Sequence, residues 1–257
     1  MSWYQKGYSG IPKEQQRLEE MQGPQRFYVP AEKQKEFVFV DDDPFCLYEH
    51  NPKINGSFRN WITCLQGASD DAVCCKILGP NTRYYCGYYT IVDCSKWKDQ
   101  KGNEHQFEMR LIQAKMRTLK KFERKKTDKG TLVGCLYRAT RDDDKAPSCG
   151  DDFDFVKEAD MEKLFEVTCY RGEKLSALWA EAEQKPEAME RIVRTFQIEP
   201  ENGKLPKIVP AFNYFNVLKP KNPKELKLEL AAADTSSNGA ASKSSASSSS
   251  VSDDVPF

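Results

Sequence analysis

The chain has 257 residues, 30% of them charged, and its 39 Lys and Arg residues balance 39 Asp and Glu residues. This length allows one sizeable hydrophobic core with additions, and the sequence has no apolar run of the roughly 18 residues that a transmembrane helix needs. No apolar signal peptide begins the sequence and its nine cysteines are an odd number, so we expect reduced thiols, a cytoplasmic location and no membrane partner.

The first predicted elements are an arm and a series of strands. Residues 1–31 are polar and punctuated by Gly and Pro, which predicts an N-terminal arm with one short helix over 13–21. After the arm, short runs rich in aromatic and β-branched residues alternate with turn residues, as in a small β-barrel or sandwich. The predicted strands cover residues 37–40, 57–64, 84–94, 106–114, 132–140 and 152–156. A helix is predicted between the fourth and fifth strands, because Met116, Leu119 and Phe122 recur at helical spacing.

Helices and a tail follow the strand-rich part. Apolar residues between 175 and 182 predict an amphipathic helix that breaks near Pro186 and resumes afterwards. The aromatic stretch 206–218 is predicted to be an edge strand. From about residue 231 the sequence has little to bury, which predicts a flexible linker. We therefore expect a mainly β chain with appended helices (α+β), divided into an arm (1–31), a body (32–230) and a disordered linker with a docking tip (231–257).

A basic stretch coincides with the helix predicted among the strands. Seven Lys and Arg residues lie between Lys115 and Lys126 against a single acid, Glu123. A cationic stripe of this kind neutralises successive phosphates of a nucleic-acid backbone and releases counterions, which gives affinity without sequence preference. The alternative interpretation is a helix face that is simply solvated.

Aromatic residues stand next to cations in two of the predicted strands. Phe58 and Trp61 flank Arg59, and Arg83 precedes a run of tyrosines. Side chains alternate between the two faces of a strand, so one pair of tyrosines packs in the core while the other faces solvent, where rings stack on unpaired bases. The alternative is that the tyrosines are ordinary strand formers. The residues predicted to bind single-stranded DNA are Lys53, Phe58, Arg59, Trp61, Arg83, Tyr84, Tyr88, Lys115, Arg117, Lys120 and Lys121.

One histidine and several cysteines have a spacing that suggests a metal site. His50, Cys64 and Cys74 follow one another at intervals typical of a structural zinc site, with Cys75 as the candidate fourth ligand. Cys86, Cys94 and His105 are alternatives for that position. Against Cys75 stands the expectation that adjacent residues of an extended segment point to opposite sides. The alternative to a single structural zinc ion is a set of buried thiols that only pack.

The last residues resemble a docking peptide. Two carboxylates, a proline and a phenylalanine suit a pocket with basic residues around it, and they lie behind a Ser-rich tether. The predicted partner-binding residues are Asp253, Asp254, Val255, Pro256 and Phe257. This ending is similar to the acidic tip of bacterial single-stranded DNA-binding proteins, which recruits replication and repair enzymes.

Most of the body also resembles a family. Residues 51–61, 85–93, 114–115 with 118–122, and 148–155 are similar to tailed-phage single-stranded DNA-binding proteins. The resemblance implies an OB-fold, a five-stranded β-barrel, a role in phage DNA replication and recombination, and a location in the host bacterial cytoplasm. The His and Cys spacing is similar to the zinc pattern of T-even phage helix-destabilising proteins, but the first interval here is one residue longer and Ile77 stands where the fourth ligand would be.

Two other classes of function stay open at the level of sequence. The acidic clusters 41–43, 142–144 and 151–152 could hold magnesium in a metal-dependent nuclease, although acids in turns more often solvate loops. A zinc-stabilised adaptor or regulatory protein is the other alternative. We expect a binding protein that is not an enzyme, with single-stranded DNA and replication, recombination or repair proteins as partners and with self-association left open.

Overall fold

The computed structural model describes residues 23–53, 61–67, 72–98, 102, 104–219 and 221–237, without the side chains of residues 229 and 232–237. The predicted helix at 13–21, the candidate residues Phe58 and Arg59, and the tip at 253–257 lie outside this part. The described strands are β1 (Lys33–Phe39), β2 (Phe45–His50), β3 (Ile62–Thr63), β4 (Tyr84–Asp93), β5 (Trp97–Lys98), β6 (Glu104–His105), β7 (Glu108–Lys115), β8 (Cys135–Arg141), β9 (Asp152–Glu158), β10 (Cys169–Tyr170) and β11 (Glu173–Lys174). The described helices are α1 (Val73–Leu78), α2 (Met116–Lys129), α3 (Met161–Val167), α4 (Leu175–Gln184), α5 (Pro186–Thr195), α6 (Tyr214–Val217) and α7 (Pro223–Ser237).

A large and mostly antiparallel sheet forms the centre of the fold. Its strand order is β11-β10-β7-β4-β1-β8-β9, with β2 paired to β4 and β3 paired to β2. The prediction of a mixed α+β chain is confirmed. The sequence predicts a five-stranded barrel, but among the described strands no pair joins the two ends of the sheet, so no closed barrel is found there. Strand β2 was not predicted from the sequence, because a six-residue strand containing Glu49 and His50 depends on pairing with the long β4 for its stability.

The N-terminal segment 25–29 belongs to the packed body. The amide of Phe27 donates to the carbonyl of Leu111 in β7 at 2.8 Å, and Leu111 donates to Gln25 at 2.9 Å. Val29 donates to Ser148, before β9, at 2.8 Å. Phe27 and Val29 are buried, so the predicted arm, drawn to residue 31, extends too far along the chain. The segment occupies an edge of β7 and satisfies backbone groups that a sheet edge would otherwise leave unpaired.

Helix α2 packs on one face of the sheet because its apolar residues recur every three or four positions. Leu119 and Phe122 lie in one buried cluster with Phe39 and Tyr89. Gly87 allows this close approach, since a Cβ atom there would lie 2.7 Å from Leu119 and 2.8 Å from Pro44. The opposite face of the sheet is covered by α3, α4 and α5, which bury their apolar residues in a second cluster. Both faces of the central strands are therefore covered by packed elements.

The stretch 206–218 forms loops and the short helix α6 instead of the predicted edge strand. Its side chains anchor it to the sheet: the Tyr214 hydroxyl donates to the carboxylate of Asp41, and the Phe212 amide donates to the Thr90 hydroxyl at 2.8 Å. Burial raises the pKa of Asp41 to about 7, although the bonds from Tyr214 and the Thr90 amide oppose the rise. Side-chain anchoring of this kind cannot be inferred from the apolar character of the stretch.

Asp41 is expected to make stability depend on pH. Its pKa is about 7 in the folded chain and 3.8 ordinarily, so the folded state keeps a proton that the unfolded chain has lost. The contribution of Asp41 to the free energy of unfolding is therefore expected to fall as pH rises between those two values, and then to stay level. Asp41→Asn should flatten this decline in denaturant unfolding followed across pH. Asp128→Asn, on the exposed side of α2, is the control, and equal slopes for the two variants would contradict the prediction.

The C-terminal helix α7 runs past the predicted start of the linker at residue 231. Leu226 and Leu230, one turn apart, are buried in a third cluster with Ile62, Cys64 and Cys74. Burial of these leucines explains why the helix continues into a stretch with few apolar residues. Within the described part of the chain, none of the helices is both long and apolar enough to cross a bilayer.

Candidate metal centre and nucleic-acid interface

Four candidate metal ligands meet at the end of β2. One ligand atom from each of His50, Cys64, Cys74 and Cys75 lies within 4.8 Å of the others. His50 ends β2, Cys64 follows β3, and the two adjacent cysteines stand near the start of α1. Helical residues turn by only about 100° each, so Cys74 and Cys75 both reach the cluster. The expectation that they point to opposite sides is wrong, because they are helical and not extended.

The distances within the cluster suit a tetrahedral zinc ion. The Sγ atoms of Cys64 and Cys75 are 3.4 Å apart, those of Cys64 and Cys74 are 3.9 Å apart, and Cys75 Sγ lies 3.6 Å from His50 Nε2. With Zn–S near 2.3 Å and Zn–N near 2.0 Å, a tetrahedron separates two sulfurs by about 3.8 Å and a sulfur from a nitrogen by about 3.5 Å. The side chains therefore fit a zinc ion with little rearrangement.

The surroundings of these ligands also suit a cation. The other ring nitrogen of His50, Nδ1, lies 2.8 Å from the Thr82 hydroxyl, which directs Nε2 towards the sulfurs. Burial lowers the pKa of His50, and Arg83 adds to this, which favours the neutral imidazole that binds a metal ion. Burial raises the pKa of Cys74, and raises that of Cys75 to about 12, so a bound cation would be needed to hold both as thiolates.

The alternative ligands lie in other surroundings. Cys86 Sγ is 3.7 Å from a carboxylate oxygen of Glu49, and His105 stacks on Trp97 with ring centroids 4.3 Å apart. All nine cysteines are free thiols. The structure thus brings together the four residues predicted from the sequence and leaves the alternatives outside the cluster.

Three cations lie over aromatic rings next to this cluster. Arg26 is 4.1 Å from the ring centre of Trp61, Arg83 is 4.5 Å from Tyr48, and Lys115 is 4.5 Å from Tyr84. We call these six residues the cation-aromatic end of the sheet. The pairing of Glu49 with Tyr84 and of Cys86 with Lys115 brings the ends of β2, β4 and β7 together there. Guanidinium and ammonium groups beside exposed rings are the combination that binds phosphates and stacks on bases.

The tyrosines of β4 are divided differently from the prediction. Tyr88 is 0% exposed and its hydroxyl donates to Glu49, so its ring is not available to a base. Tyr84 is half-buried and also donates to Glu49, at 3.2 Å. The exposed rings are Tyr48 at 44% and Tyr85 at 36%, and they meet edge to face. The alternation of side chains along β4 predicts that Tyr84 and Tyr88 share one face of the strand and Tyr85 lies on the other. It does not predict which of these tyrosines the packed helices bury.

The basic residues of α2 are in several different environments. Lys121 donates to the carbonyl of Asp151, and Lys126 forms an ion pair with Asp43 at 2.7 Å. Arg117 and Lys120 are exposed. The latter two could contact a phosphate without first breaking the bonds that engage Lys121 and Lys126. Lys53, beyond the end of β2, is exposed as well.

Arg26, Tyr48 and Glu49 were not predicted to belong to the site. Tyr48 follows the alternation of β2 and could have been found if that strand had been predicted. Arg26 lies in a polar segment that no local pattern ties to the sheet. Glu49, at 1% exposure, accepts hydrogen bonds from Arg26, Tyr84, Tyr88 and Gln113, a buried role that cannot be read from its neighbours in sequence.

Comparison with known proteins provides no assignment. A scan against models of protein families finds no match, and a search of curated proteins finds no significant one. The function of the chain is therefore inferred from the geometry of the metal cluster and of the cation-aromatic end.

Proposed function

We propose that this chain binds and protects single-stranded DNA without strong sequence preference, as expected of a tailed-phage protein in DNA replication and recombination. The observation that carries the proposal is the set of three cation-ring pairs at the cation-aromatic end. Stacking on a ring requires an unpaired base, whereas the charges of Arg83 and Lys115 attract any phosphate. The combination favours single strands over duplexes, in which both faces of each base are covered.

The strand order supports an opened OB-fold for this activity. The path β7-β4-β1-β8-β9 contains five strands, and α2 lies between the third and fourth of them along the chain. The OB-fold is a five-stranded and partly open Greek-key barrel that binds oligonucleotides on its second and third strands. In this chain those strands would be β4 and β7, which carry Tyr84 and Lys115.

We further propose that the His50, Cys64, Cys74 and Cys75 cluster holds one structural zinc ion. A structural zinc ion has four protein ligands and no open position, and four are available here. When bound, the ion would join the end of β2, the segment after β3 and α1. Its role would be to fix the region around Trp61 and Arg83 and not to take part in a reaction.

The nuclease alternative has less support, because Asp42 and Asp143, one acid from each of two clusters, already accept backbone hydrogen bonds. An Asp42 oxygen accepts from the Leu132 and Val133 amides, and Asp143 accepts from the amides of Lys145 and Ala146 at 2.8 Å. The Asp143 bonds are typical of a carboxylate that stabilises its own turn, and the Asp42 bonds tie its loop to the segment before β8. The adaptor alternative predicts no preference for single strands, so a titration with DNA distinguishes it. Recruitment of replication or repair proteins through residues 253–257 stays a prediction.

The test is titration of the full chain with poly(dT), followed by tryptophan emission, beside a duplex of equal length. We expect quenching that salt reverses and that the duplex does not produce, whereas equal binding of both would contradict the proposal. Tyr48→Ala should weaken binding by about 1–3 kcal/mol with the same salt dependence. Lys115→Ala should lower the salt slope by about 0.7 for one lost phosphate contact.

A matched control for these variants lies at the far end of α2. Lys129 lies 3.5 Å from the ring centre of Phe155, so this is also a cation-ring pair. It is about 20 Å along the helix from Lys115, given a rise of 1.5 Å per residue. Phe155→Ala is expected to leave the affinity for poly(dT) and its salt slope unchanged.

A further inference from the structure

The Trp61 ring rests on a cation that comes from a distant part of the sequence. The guanidinium carbon of Arg26 is 4.1 Å from the Trp61 ring centre, and 38% of Trp61 is exposed. Arg26 lies in the segment that is hydrogen-bonded to β7 through Gln25 and Phe27. The backbone of Arg26 is therefore attached to the sheet, and this attachment restricts where its guanidinium can lie beside the Trp61 ring.

The Arg26 guanidinium is also bound by the buried carboxylate of Glu49. Its two terminal nitrogens lie 3.0 Å and 3.4 Å from the two oxygens of Glu49, an arrangement in which a planar fork meets a planar carboxylate. Glu49 is 1% exposed and also accepts from Tyr84 and Tyr88. A carboxylate with this many donors has little freedom to move, so it fixes the plane of the guanidinium.

The charges of the pair compensate each other. Arg26 and Glu49 form an ion pair, and the guanidinium uses its terminal nitrogens on the carboxylate. The flat face of the guanidinium lies against Trp61, and its carbon is also 4.9 Å from the ring centre of the buried Tyr88. This distinguishes Arg26 from Arg83 and Lys115, for which no shared carboxylate is described and whose charge can act on a phosphate.

We propose that Glu49 and Arg26 are positioning residues for Trp61, which they hold so that its exposed side stacks on an unpaired base. Glu49 orients Arg26, and Arg26 supports the ring by a cation-π contact. The inference rests on the proposed function, since it names how one ring of that surface is prepared for a base. It assigns to Arg26 a role in stacking and none in contacting phosphate.

The test is a double-mutant cycle between residues 26 and 61 in the full chain, with poly(dT) as the probe. Arg26→Lys keeps the charge opposite Glu49 but removes the planar face, and we expect about a two- to fivefold loss of affinity with an unchanged salt slope. In the Trp61→Ala background the same substitution should have no further effect. Glu49→Gln should likewise lose its effect in that background.

Each result decides the inference. A loss that is equal in both backgrounds would overturn it, because Arg26 would then act on the phosphates or on the fold and not through Trp61. Thermal unfolding of each variant separates weakened binding from weakened folding, and Gln113→Asn is a second variant that loosens Glu49 without touching the ion pair. If Trp61→Ala has no effect while Tyr48→Ala does, the inference fails and the proposed function stands. If the unsubstituted chain does not prefer single strands, both fail.

Discussion

Replacement of Cys74 by Ser is expected to prevent binding of the proposed zinc ion and to destabilise the region around α1. Structural zinc contributes an apparent ~10–16 kcal/mol to the folding of zinc-finger peptides, so release of the whole ion is expected to lower the stability of this region by several kcal/mol. The purified chain should contain about one zinc per molecule by elemental analysis, and Cys74→Ser should contain much less. Chelation of the unsubstituted protein should give the same loss of stability.

The effect should extend to helix α7. Leu226 and Leu230 share a buried cluster with Cys64 and Cys74, so disorder of the cysteine region removes the surface that covers them. Hydrogen exchange of α7 is expected to accelerate on chelation, while that of β8 stays slow. Cys149→Ser is the matched control, because Cys149 is also buried but belongs to the cluster on the α2 side. A metal content that is equal in the Cys74 and Cys149 variants would contradict the zinc proposal.

Replacement of Phe122 by Ala is expected to lower the free energy of unfolding by about 3–5 kcal/mol, as for other buried Phe to Ala changes. Phe122 is fully buried, and its ring centre lies 5.0 Å from that of Phe39, 5.5 Å from Tyr89 and 4.7 Å from Phe153. The change leaves a cavity between α2 and the sheet that these rings cannot fill by small movements. Denaturant unfolding at constant pH measures the difference.

The same change should also weaken DNA binding, since α2 carries Arg117 and Lys120. A helix less firmly held on the sheet presents these cations less regularly, so the salt slope should decrease together with the stability. Phe215→Ala is the control, because Phe215 is largely exposed and its removal is expected to change stability by less than about 0.5 kcal/mol. Equal unfolding midpoints for the two variants would show that α2 does not depend on this contact.

Several elements followed from local sequence patterns. Strands β1, β4, β7, β8 and β9 and helix α2 were predicted in the right order, because alternation and helical spacing report which side chains must be buried. The four candidate metal ligands were likewise predicted from their spacing. The strands and the helix depend on neighbours within a few residues, whereas the ligands were found from residue types that keep a characteristic spacing between His50 and Cys75.

The composition of the candidate site was decided by tertiary structure. Alternation separates Tyr84 and Tyr88 from Tyr85, but only the helices packed on the sheet determine that Tyr88 is buried. Cys75 reaches the metal cluster because it is helical. Its helix has only six residues, which is too few to show a helical spacing of apolar residues.

Local patterns in the chain therefore predicted the kinds of residue that this surface uses: cations, aromatic rings and soft ligands near one another in sequence. Which of these residues meet depends on the fold. Arg26 reaches Trp61, and Glu49 reaches Arg26, through backbone pairing of segment 25–29 with β7 and of β2 with β4. Contacts of this kind join residues that are far apart in the chain. Their free energy depends on how deeply the fold buries them, and local sequence patterns do not report that burial.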